Sequence, residues 1–353
     1  MGVPNMKKFL ILVILFLLVG CTKHDTRILE EEILKAEEDT ETEVEAEEIQ
    51  VIKKEGVPSP LSGIYVAEFK VNRRPVAIMF DNHPSARWQS GLSQAEIVYE
   101  FLVEAPYTRY MGIYLINEPE LIGPIRSSRP YFITTLLEYD PLYIRVGGSP
   151  QAKKDIIQLK IADIDGLSSS NKVFWKNKNV GKKAPHNTYT SMEAIRKTQE
   201  ERKYKLSGEY SGFKFHEDDE DIIGDNAEKI IINYFKNNET KYKYNLEKKL
   251  YYRQKDGKEH IDELDNNPIT AKNIIIQIAN TKIIDSEGRL DIVLIGEGSG
   301  KYITNGKAID INWSKKSRSG KTRFFDKNGE EIILNPGITW IQVVSPNSGI
   351  EIN

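Results

Sequence analysis

Two arginines and two serines form the densest group of side chains suited to binding a charged ligand. Arg126, Ser127 and Arg129 lie in the run Gly-Pro-Ile-Arg-Ser-Ser-Arg-Pro. A guanidinium presents a planar fork of N–H groups that matches a carboxylate or a phosphate. Ser127 or Ser128 is a suitable cap for a helix predicted from Arg129 to Leu137, whose exposed amides would add to an anion site. The alternative is a capped helix whose arginines pair with structural acids.

Two further polar loops contain a histidine beside a proline. One carries Asp81, Asn82 and His83, and the other carries His186 and Asn187. Loops at strand ends are where binding and catalytic sites are commonly built. Histidine titrates near neutral pH and can serve as a base or a ligand, although a structural role is the commoner use of a single histidine.

Two other positions are candidates for the same site. Glu100 and Glu104 lie in or beside the apolar segment 97–103, where a carboxylate is costly unless it is paired, and Arg126 and Arg129 are candidate partners for them. In the run Gly-Gly-Ser-Pro, Gly148 would let the backbone approach a ligand closely. Ser149 would cap a helix that starts at Pro150.

The N-terminus has the pattern of an export signal. Two lysines precede an apolar stretch at residues 9–19, which is too short to cross a bilayer. Cys21, the only cysteine, ends the run Leu-Val-Gly-Cys, which resembles the bacterial lipobox, in which the cysteine becomes the lipid-carrying N-terminus. These features predict a signal peptide over 1–20, lipidation of Cys21, and a position on the extracytoplasmic face of the cell membrane.

Charge and hydrophobic patterning divide the rest of the chain. Residues 21–60 are strongly acidic and predict a disordered tether. Residues 61–215 predict an α/β domain with a mixed sheet and flanking helices, and residues 216–353 a β-rich domain, which together make an α+β protein. The net charge of −3 hides the acidic tether. The remainder is near neutral, so nucleic-acid binding is not expected.

Apolar runs and turn signals locate the strands. Runs at 76–80, 97–103, 110–116 and 142–146 predict strands in the first domain, and runs at 230–235, 273–278 and 290–295 predict strands in the second. Hairpins are expected at Asp256-Gly257, Asn305-Gly306 and Asn328-Gly329. The glycine-rich segment Gly296–Lys301 lacks the spacing of a nucleotide-binding loop and predicts a flexible turn, so no nucleotide is expected.

Several of these motifs together resemble the YerB-like lipoproteins, the DUF3048 family. They are the lipobox, Ile-Met-Phe-Asp-Asn, Gly-Pro-Ile-Arg-Ser-Ser-Arg-Pro, Gly-Gly-Ser-Pro, Ala-Pro-His-Asn and the ending Asn-Pro-Gly-Ile-Thr-Trp. The resemblance spans nearly everything after the tether. It implies a two-domain α/β lipoprotein of Gram-positive bacteria, and it points to Arg126, Ser127, Arg129, His186 and Asn187 without assigning a reaction.

Two classes of function fit these observations. The first is a binding module for a cell-envelope protein or an anionic cell-wall polymer, without a cofactor or a resident metal. The alternative is a cell-wall-directed hydrolase or transferase that uses Asp81, His83, Glu100 or His186, with Arg126 holding an anion. No complete catalytic motif is present. Ser127 with His186 as its base, and a zinc site from Asp81, His83 and His186, remain open.

Overall fold

Twenty-three strands and four short α-helices build residues 54–353, the part of the chain that the computed structural model describes. The helices are α1 (Glu68–Val71), α2 (Pro130–Leu136), α3 (Pro150–Gln158) and α4 (Met192–Glu201). None of these four is both long and apolar enough to cross a membrane. The predictions for the signal peptide, for Cys21 and for the tether up to residue 53 lie outside the described residues.

The strands are short and are spread over the whole described range. They are β1 (Val57–Pro58), β2 (Tyr65–Val66), β3 (Val76–Asp81), β4 (Ile97–Leu102), β5 (Thr108–Tyr114), β6 (Leu142–Arg145), β7 (Asp163–Asp165), β8 (Trp175–Lys176), β9 (Thr188–Tyr189), β10 (Asp225–Asn226), β11 (Lys229–Phe235), β12 (Asn238–Asn245), β13 (Leu250–Lys255), β14 (Lys258–Glu259), β15 (Thr270–Ala271), β16 (Asn273–Ile278), β17 (Thr281–Ile283), β18 (Leu290–Ile292), β19 (Gly296–Thr304), β20 (Lys307–Lys315), β21 (Arg323–Phe325), β22 (Thr339–Val344) and β23 (Gly349–Ile352).

An eleven-stranded mixed sheet forms the centre of the fold. Its order is β10-β20-β19-β16-β22-β4-β5-β3-β6-β7, with β21 beside β20. Strand β22, near the C-terminus, runs parallel to both β16 and β4 and therefore lies between strands of the two predicted domains. Both halves of the chain thus contribute to one sheet. The predicted boundary at residues 215 and 216 falls in the connection between α4 and β10, and it stays a prediction.

Two layers cover the faces of this sheet. On one face, a six-stranded antiparallel sheet (β14-β13-β12-β11-β23, with β15 beside β13) places Tyr242 in the same apolar core as Val98 of β4. On the other face, Phe101 of β4 packs with Phe132 of α2. Successive residues of a strand point to opposite faces, so one apolar strand supplies both cores. The α+β class is confirmed, with strands in the majority.

Most of the predicted strands are present. The runs in the first half form β3, β4, β5 and β6, and those at 230–235 and 273–278 form β11 and β16. The run at 290–295 contains only the short strand β18. Asn305 and Gly306 both have positive φ angles and make the two-residue turn between β19 and β20, as the Asn-Gly pair predicts.

The predicted cap of the second helix is wrong. Helix α2 starts at Pro130, Arg129 occupies the N-cap position, and no side chain caps the helix. The Ser128 hydroxyl instead accepts a hydrogen bond from the Tyr143 hydroxyl at 2.7 Å. Ser128 is completely buried in this contact, so it is committed to the packing of β6.

Thr190 and Glu193 have the sequence spacing of a capping box, but the cap of the fourth helix lies one residue later. The Ser191 hydroxyl caps α4 by accepting from the amide of Ala194 at 3.2 Å. Thr190 donates its hydroxyl to the carbonyl of Val173 at 2.7 Å and is therefore not free to cap the helix.

The glycine-rich segment Gly296–Lys301 is part of strand β19, so its prediction as a flexible turn is wrong. A Cβ atom on Gly298 would lie 2.6 Å from Nε1 of Trp313. One on Gly300 would lie 2.3 Å from the carbonyl oxygen of Ile276 on β16. Glycine is needed here because neighbouring groups approach the strand closely, which is the second common use of glycine in a sheet.

A fully buried ion pair joins the two halves. Nη2 of Arg253 on β13 lies 2.5 Å from Oε2 of Glu100 on β4, and both side chains are inaccessible to solvent. Thr108 donates its hydroxyl to Oε1 of the same carboxylate at 2.7 Å. Glu100 therefore does not pair with Arg126 or Arg129, whereas Glu104 does pair with Arg129. The strand pattern places Glu100 on the face toward the six-stranded sheet, where Arg253 lies.

We predict that Arg253→Met lowers the free energy of unfolding by about 3–5 kcal/mol, because it leaves the Glu100 carboxylate buried without a counter-charge. Urea denaturation measures this difference. The matched control is Arg323→Met, which removes an arginine whose side chain is 52% exposed and pairs with Glu331. An exposed pair contributes about 0–1 kcal/mol, so similar losses in the two variants would contradict the prediction.

Candidate functional site

The end of strand β3 brings together two loops that are distant in sequence. Phe80 of β3 forms a bridge with Ile125, and the amide of Asp81 donates to the carbonyl of Pro124 at 2.9 Å. On its other side, the loop before helix α2 is joined to β9, because the amide of Ile125 donates to the carbonyl of Thr188 at 2.7 Å. The loop that ends in His186 and Asn187 is thereby held against Asp81.

Asp81 is the centre of this site. Its Oδ2 atom lies 2.8 Å from Nδ1 of His186 and 3.3 Å from Nε of Arg126. Its Oδ1 atom accepts the backbone amide of His83 at 3.0 Å. The carboxylate is only 4% exposed, so it faces these three donors and orients them.

The two histidines of the site are stacked on each other. The His83 and His186 rings have centroids 4.5 Å apart and an interplanar angle of 14°, and the Tyr107 ring lies 4.5 Å from His83. Nδ1 of His83 accepts the amide of Ser85 at 3.1 Å. We therefore assign the proton of neutral His83 to Nε2. Nδ1 of His186 donates to Asp81, which leaves Nε2 of His186 as an acceptor when the ring is neutral.

Several polar atoms of the site have no protein partner among the described residues. They are Nη1 and Nη2 of Arg126 and the Nε2 atoms of His83 and His186, and none of them is a buried unsatisfied atom. The Arg126 side chain is 28% exposed and the His186 side chain 16%. These atoms are therefore accessible to a ligand from solvent.

Asn82 and Glu100 lie beneath the site in a buried hydrogen-bond network. Asn82 donates through Nδ2 to the Thr108 hydroxyl at 2.7 Å and accepts from Nε of Arg87 at 3.1 Å. Thr108 in turn donates to Glu100. Both candidates are completely or almost completely buried. They support the strand ends and are not exposed to a ligand.

A second set of candidates forms a separate group along the same loop. Nε of Arg129 donates to Oε1 of Glu104 at 2.6 Å, and Nη1 of Arg129 lies 3.4 Å from the Ser127 hydroxyl. Gly148 forms a bridge with Ser128. Ser149 caps α3, as predicted, through the amide of Ala152. The predicted site residues therefore form two groups. The Asp81 group contains Asp81, His83, Arg126 and His186, and the Arg129 group contains Ser127, Arg129, Gly148 and Ser149.

Asn187 is held inside the second loop. It is 8% exposed, its Nδ2 atom donates to the carbonyl of Lys182 at 3.2 Å, and its Oδ1 atom has no partner among the described residues. Nζ of Lys182 donates to Glu263 at 2.6 Å and to the Tyr189 hydroxyl at 2.9 Å. Burial lowers the pKa of Lys182 despite its contact with Glu263. The contact between Lys182 and Glu263 thus links this loop to the second half of the chain.

Sequence reasoning missed the residues that connect this site to the core. Gln89 donates through Nε2 to the Asp81 carbonyl at 2.8 Å, and its Oε1 atom lies 2.8 Å from Nε2 of His260. Nδ1 of His260 faces Nη1 of Arg253 at 2.5 Å. Burial, and then Arg253, hold the pKa of His260 well below its usual range, so His260 is neutral. No motif marks Gln89 or His260 in the sequence.

The donor atoms of the site that have no protein partner among the described residues suit an anion. A guanidinium fork and a neutral imidazole N–H are donors, and the nearby carboxylate is occupied by internal contacts. Within residues 54–353, His, Cys, Asp and Glu side chains do not form any group of three or more that could hold a metal ion. The hypothesis of a zinc site from Asp81, His83 and His186 therefore has no geometric support in the described range.

Comparison with known proteins identifies the class. The family model described as "Protein of unknown function (DUF3048) N-terminal domain" matches residues 61–205, and the corresponding C-terminal domain matches residues 230–341. The chain is a member of the DUF3048 family, which confirms the resemblance seen in its motifs.

A particular relative extends this result. The chain is 36% identical over 289 residues to the "Putative lipoprotein YerB" of Bacillus subtilis, a match that covers 81% of this chain and 86% of that protein. The crystal structure of the YerB protein from Bacillus subtilis has a TM-score of 0.76 and 33% identity, over 84% of this chain and 99% of that chain. The fold is therefore shared with YerB, and the relative's name supports the interpretation as a lipoprotein.

We predict that the protein loses stability as the pH falls below about 6.5, the pKa of a histidine in an unfolded chain. Burial and neighbouring His186 lower the pKa of His83 in the fold. Protons therefore bind preferentially to the unfolded chain between pH 6.5 and the lower folded pKa. The melting temperature of His83→Asn should fall less than that of the wild type between pH 7.5 and pH 5.5. Parallel curves would show that His83 does not contribute.

Proposed function

We propose that this protein is a lipid-anchored, extracytoplasmic binding module that takes an anionic group of a cell-envelope protein or a cell-wall polymer at Arg126. The observation that carries the proposal is the orientation of the Arg126 guanidinium. Its Nε atom forms an ion pair with Oδ2 of Asp81 at 3.3 Å, and its two outer nitrogens have no partner among the described residues. A fork that is already oriented loses little conformational entropy when it binds a carboxylate or a phosphate.

The two histidines add to this binding place. Nε2–H of neutral His83 is a third donor, and His186 becomes a donor at Nε2 when it takes a proton. The Asp81 carboxylate would repel an anion if it faced the ligand. Its oxygens instead face the His83 amide, the His186 ring and Arg126. The negative charge therefore orients the donors and is partly neutralised by them.

The surroundings of His186 favour a binding function over a hydrolase function. A carboxylate that orients a histidine is part of many hydrolase sites, and the Asp81–His186 contact is the observation that supports the hydrolase alternative. A nucleophilic mechanism also needs a hydroxyl or thiol within hydrogen-bond reach of the free Nε2 atom. Within residues 54–353 no such group bonds to it, and the Ser127 hydroxyl contacts Arg129 instead.

We predict that Arg126→Lys weakens binding to a polyglycerol phosphate polymer or to purified peptidoglycan about tenfold, because lysine keeps the charge and cannot present a two-pronged fork. Pull-down or calorimetry with the full-length protein in detergent micelles measures the affinity. The control is Arg323→Lys, which makes the same exchange at an arginine outside the site. Equal affinities for the wild type and Arg126→Lys would overturn the proposal.

The same assay distinguishes the hydrolase alternative from the binding module. Soluble fragments released by the wild type and not by His186→Asn would favour a hydrolase. Binding without any release of fragments would favour the binding module. A melting temperature equal to that of the wild type shows that Arg126→Lys and His186→Asn are folded.

The location is supported by two independent observations. The run Leu-Val-Gly-Cys follows an apolar stretch of export-signal length, and the relative from Bacillus subtilis is named as a lipoprotein. Lipid on Cys21 would anchor the protein to the membrane, and the acidic segment after it would extend away from an anionic surface.

We predict that Cys21→Ser prevents lipidation and leaves the protein unprocessed or released. The wild type should partition into the detergent phase in Triton X-114, and mass spectrometry should find its N-terminal peptide beginning at a lipid-modified Cys21. Wild-type protein that is found wholly in the aqueous phase, without lipid on the N-terminal peptide, would contradict the anchor.

A further inference from the structure

A cleft of about 510 Å³ lies between the starts of helices α2 and α3 and the β17–β18 hairpin. Its walls include Arg129, Thr134, Ser149, Gln151, Arg289 and Leu290. The cleft is of the size of sites that bind small molecules, which are usually about 300–1,000 Å³. It therefore has room for a compact ligand or for one unit of a polymer.

Two arginines beside this cleft share a single carboxylate. Nε of Arg129 lies 2.6 Å from Oε1 of Glu104, and Nη2 of Arg109 lies 3.6 Å from Oε2 of the same group. The side chains of Arg109 and Arg129 are 8% and 11% exposed. Two nearly buried positive charges with one negative charge leave a charge uncompensated, which is costly in a protein interior.

The remaining contacts of these arginines do not remove the imbalance. Arg109 donates through Nη1 to the carbonyl of Ser127 at 3.0 Å, and its Nε atom is buried without a partner among the described residues. Nη2 of Arg129 makes no hydrogen bond within that range, and Arg129 lines the cleft. Burial, and then Arg129, lower the pKa of Arg109 to about 10. The two guanidinium groups therefore repel each other, and Glu104 alone does not balance their charge.

The hairpin at the cleft carries no excess positive charge, because Arg289 contacts both Asp285 and Glu287. Nη1 of Arg289 lies 2.8 Å from Oδ2 of Asp285, and Nζ of Lys282 lies 3.4 Å from Oδ2 of Asp291. These contacts leave the rim without a strong net charge of its own. The excess positive charge of the region therefore comes from Arg129, which lines the cleft, and from Arg109 behind it.

We propose that this cleft binds an anionic sugar or polyol, whose phosphate or carboxylate group pairs with Arg129 and completes the charge balance of the Arg109–Glu104–Arg129 group. The Ser149 hydroxyl accepts from the Ala152 amide and keeps its own proton to donate, and Gln151 keeps its Oε1 atom and one amide hydrogen beyond its bond to Asp155, so both offer hydrogen bonds to a hydroxylated body. The apolar side of Leu290 offers a surface for its carbon atoms. This site is a second binding place, separate from the one around Arg126.

The test is calorimetric titration of the full-length protein in detergent micelles with glycerol phosphate and with glucuronate. Glycerol and glucose are the neutral counterparts of the two probes. We expect the wild type to bind at least one anion and to bind it at least tenfold more tightly than its neutral counterpart. The anion that binds more tightly identifies the group as a phosphate or a carboxylate. No binding of either anion, or equal binding of a neutral counterpart, overturns the proposal.

Two matched tryptophan variants locate the binding. Gln151→Trp places a bulky ring in the cleft and should weaken binding at least tenfold. Lys153→Trp adds the same ring to an exposed position of helix α3 outside the cleft and should leave binding unchanged. Unchanged binding in Gln151→Trp overturns the proposal, as does an equal loss in both variants.

Arg126→Lys separates this inference from the proposed function. It should leave the binding of the small anions in the cleft unchanged. A loss of their binding in Arg126→Lys, with normal binding in Gln151→Trp, would assign the anion to the Asp81 group. That outcome would overturn the cleft site and leave the proposed function standing. Arg129→Lys should weaken binding as well, and if it fails to fold, the tryptophan pair still decides.

Discussion

The buried guanidinium of Arg253 is the constraint on which the rest of the structure depends. Its Cζ atom lies 4.5 Å from the centroid of the Trp340 ring and 5.1 Å from that of Tyr110, and the Glu100 carboxylate supplies its counter-charge. A full charge between two sheets is stable only if each of its donors is satisfied. The sheets must therefore approach in the one register that brings Glu100 and the rings to Arg253, which explains why both halves of the chain share one core.

This buried charge is connected to the surface site by hydrogen bonds. Arg253 contacts neutral His260, His260 contacts Gln89, and Gln89 donates to the backbone of Asp81. Asp81 in turn holds His186 through its side chain. Each link has a defined donor and acceptor, so the position of the carboxylate follows from the packing of the core. The side chains of the site at the end of strand β3 are therefore positioned as precisely as the sheet itself.

The sequence predicts the strands well and the connections between them poorly. Apolar runs mark β3 and β4 because local patterning decides burial. Thr190 illustrates the limit, since a hydroxyl that looks like a cap is taken by the carbonyl of Val173. Asp81 and His186 were candidates from their loops and do lie in contact. Arg253 was not a candidate, because an arginine in a tyrosine-rich strand has the pattern of an exposed position until the opposite sheet is known.

The charges near helix α2 give a physical reason for the anion binding that we propose in this loop. Three arginines, at 109, 126 and 129, face two carboxylates, Asp81 and Glu104. The sum is positive, so the fold by itself leaves one guanidinium incompletely paired, and it does so at a surface where solvent and ligands reach the outer nitrogens. A third carboxylate would stabilise the folded state and would remove the reason to bind an anion. If an anion binds as we propose, it would pair with the excess charge and stabilise the folded protein.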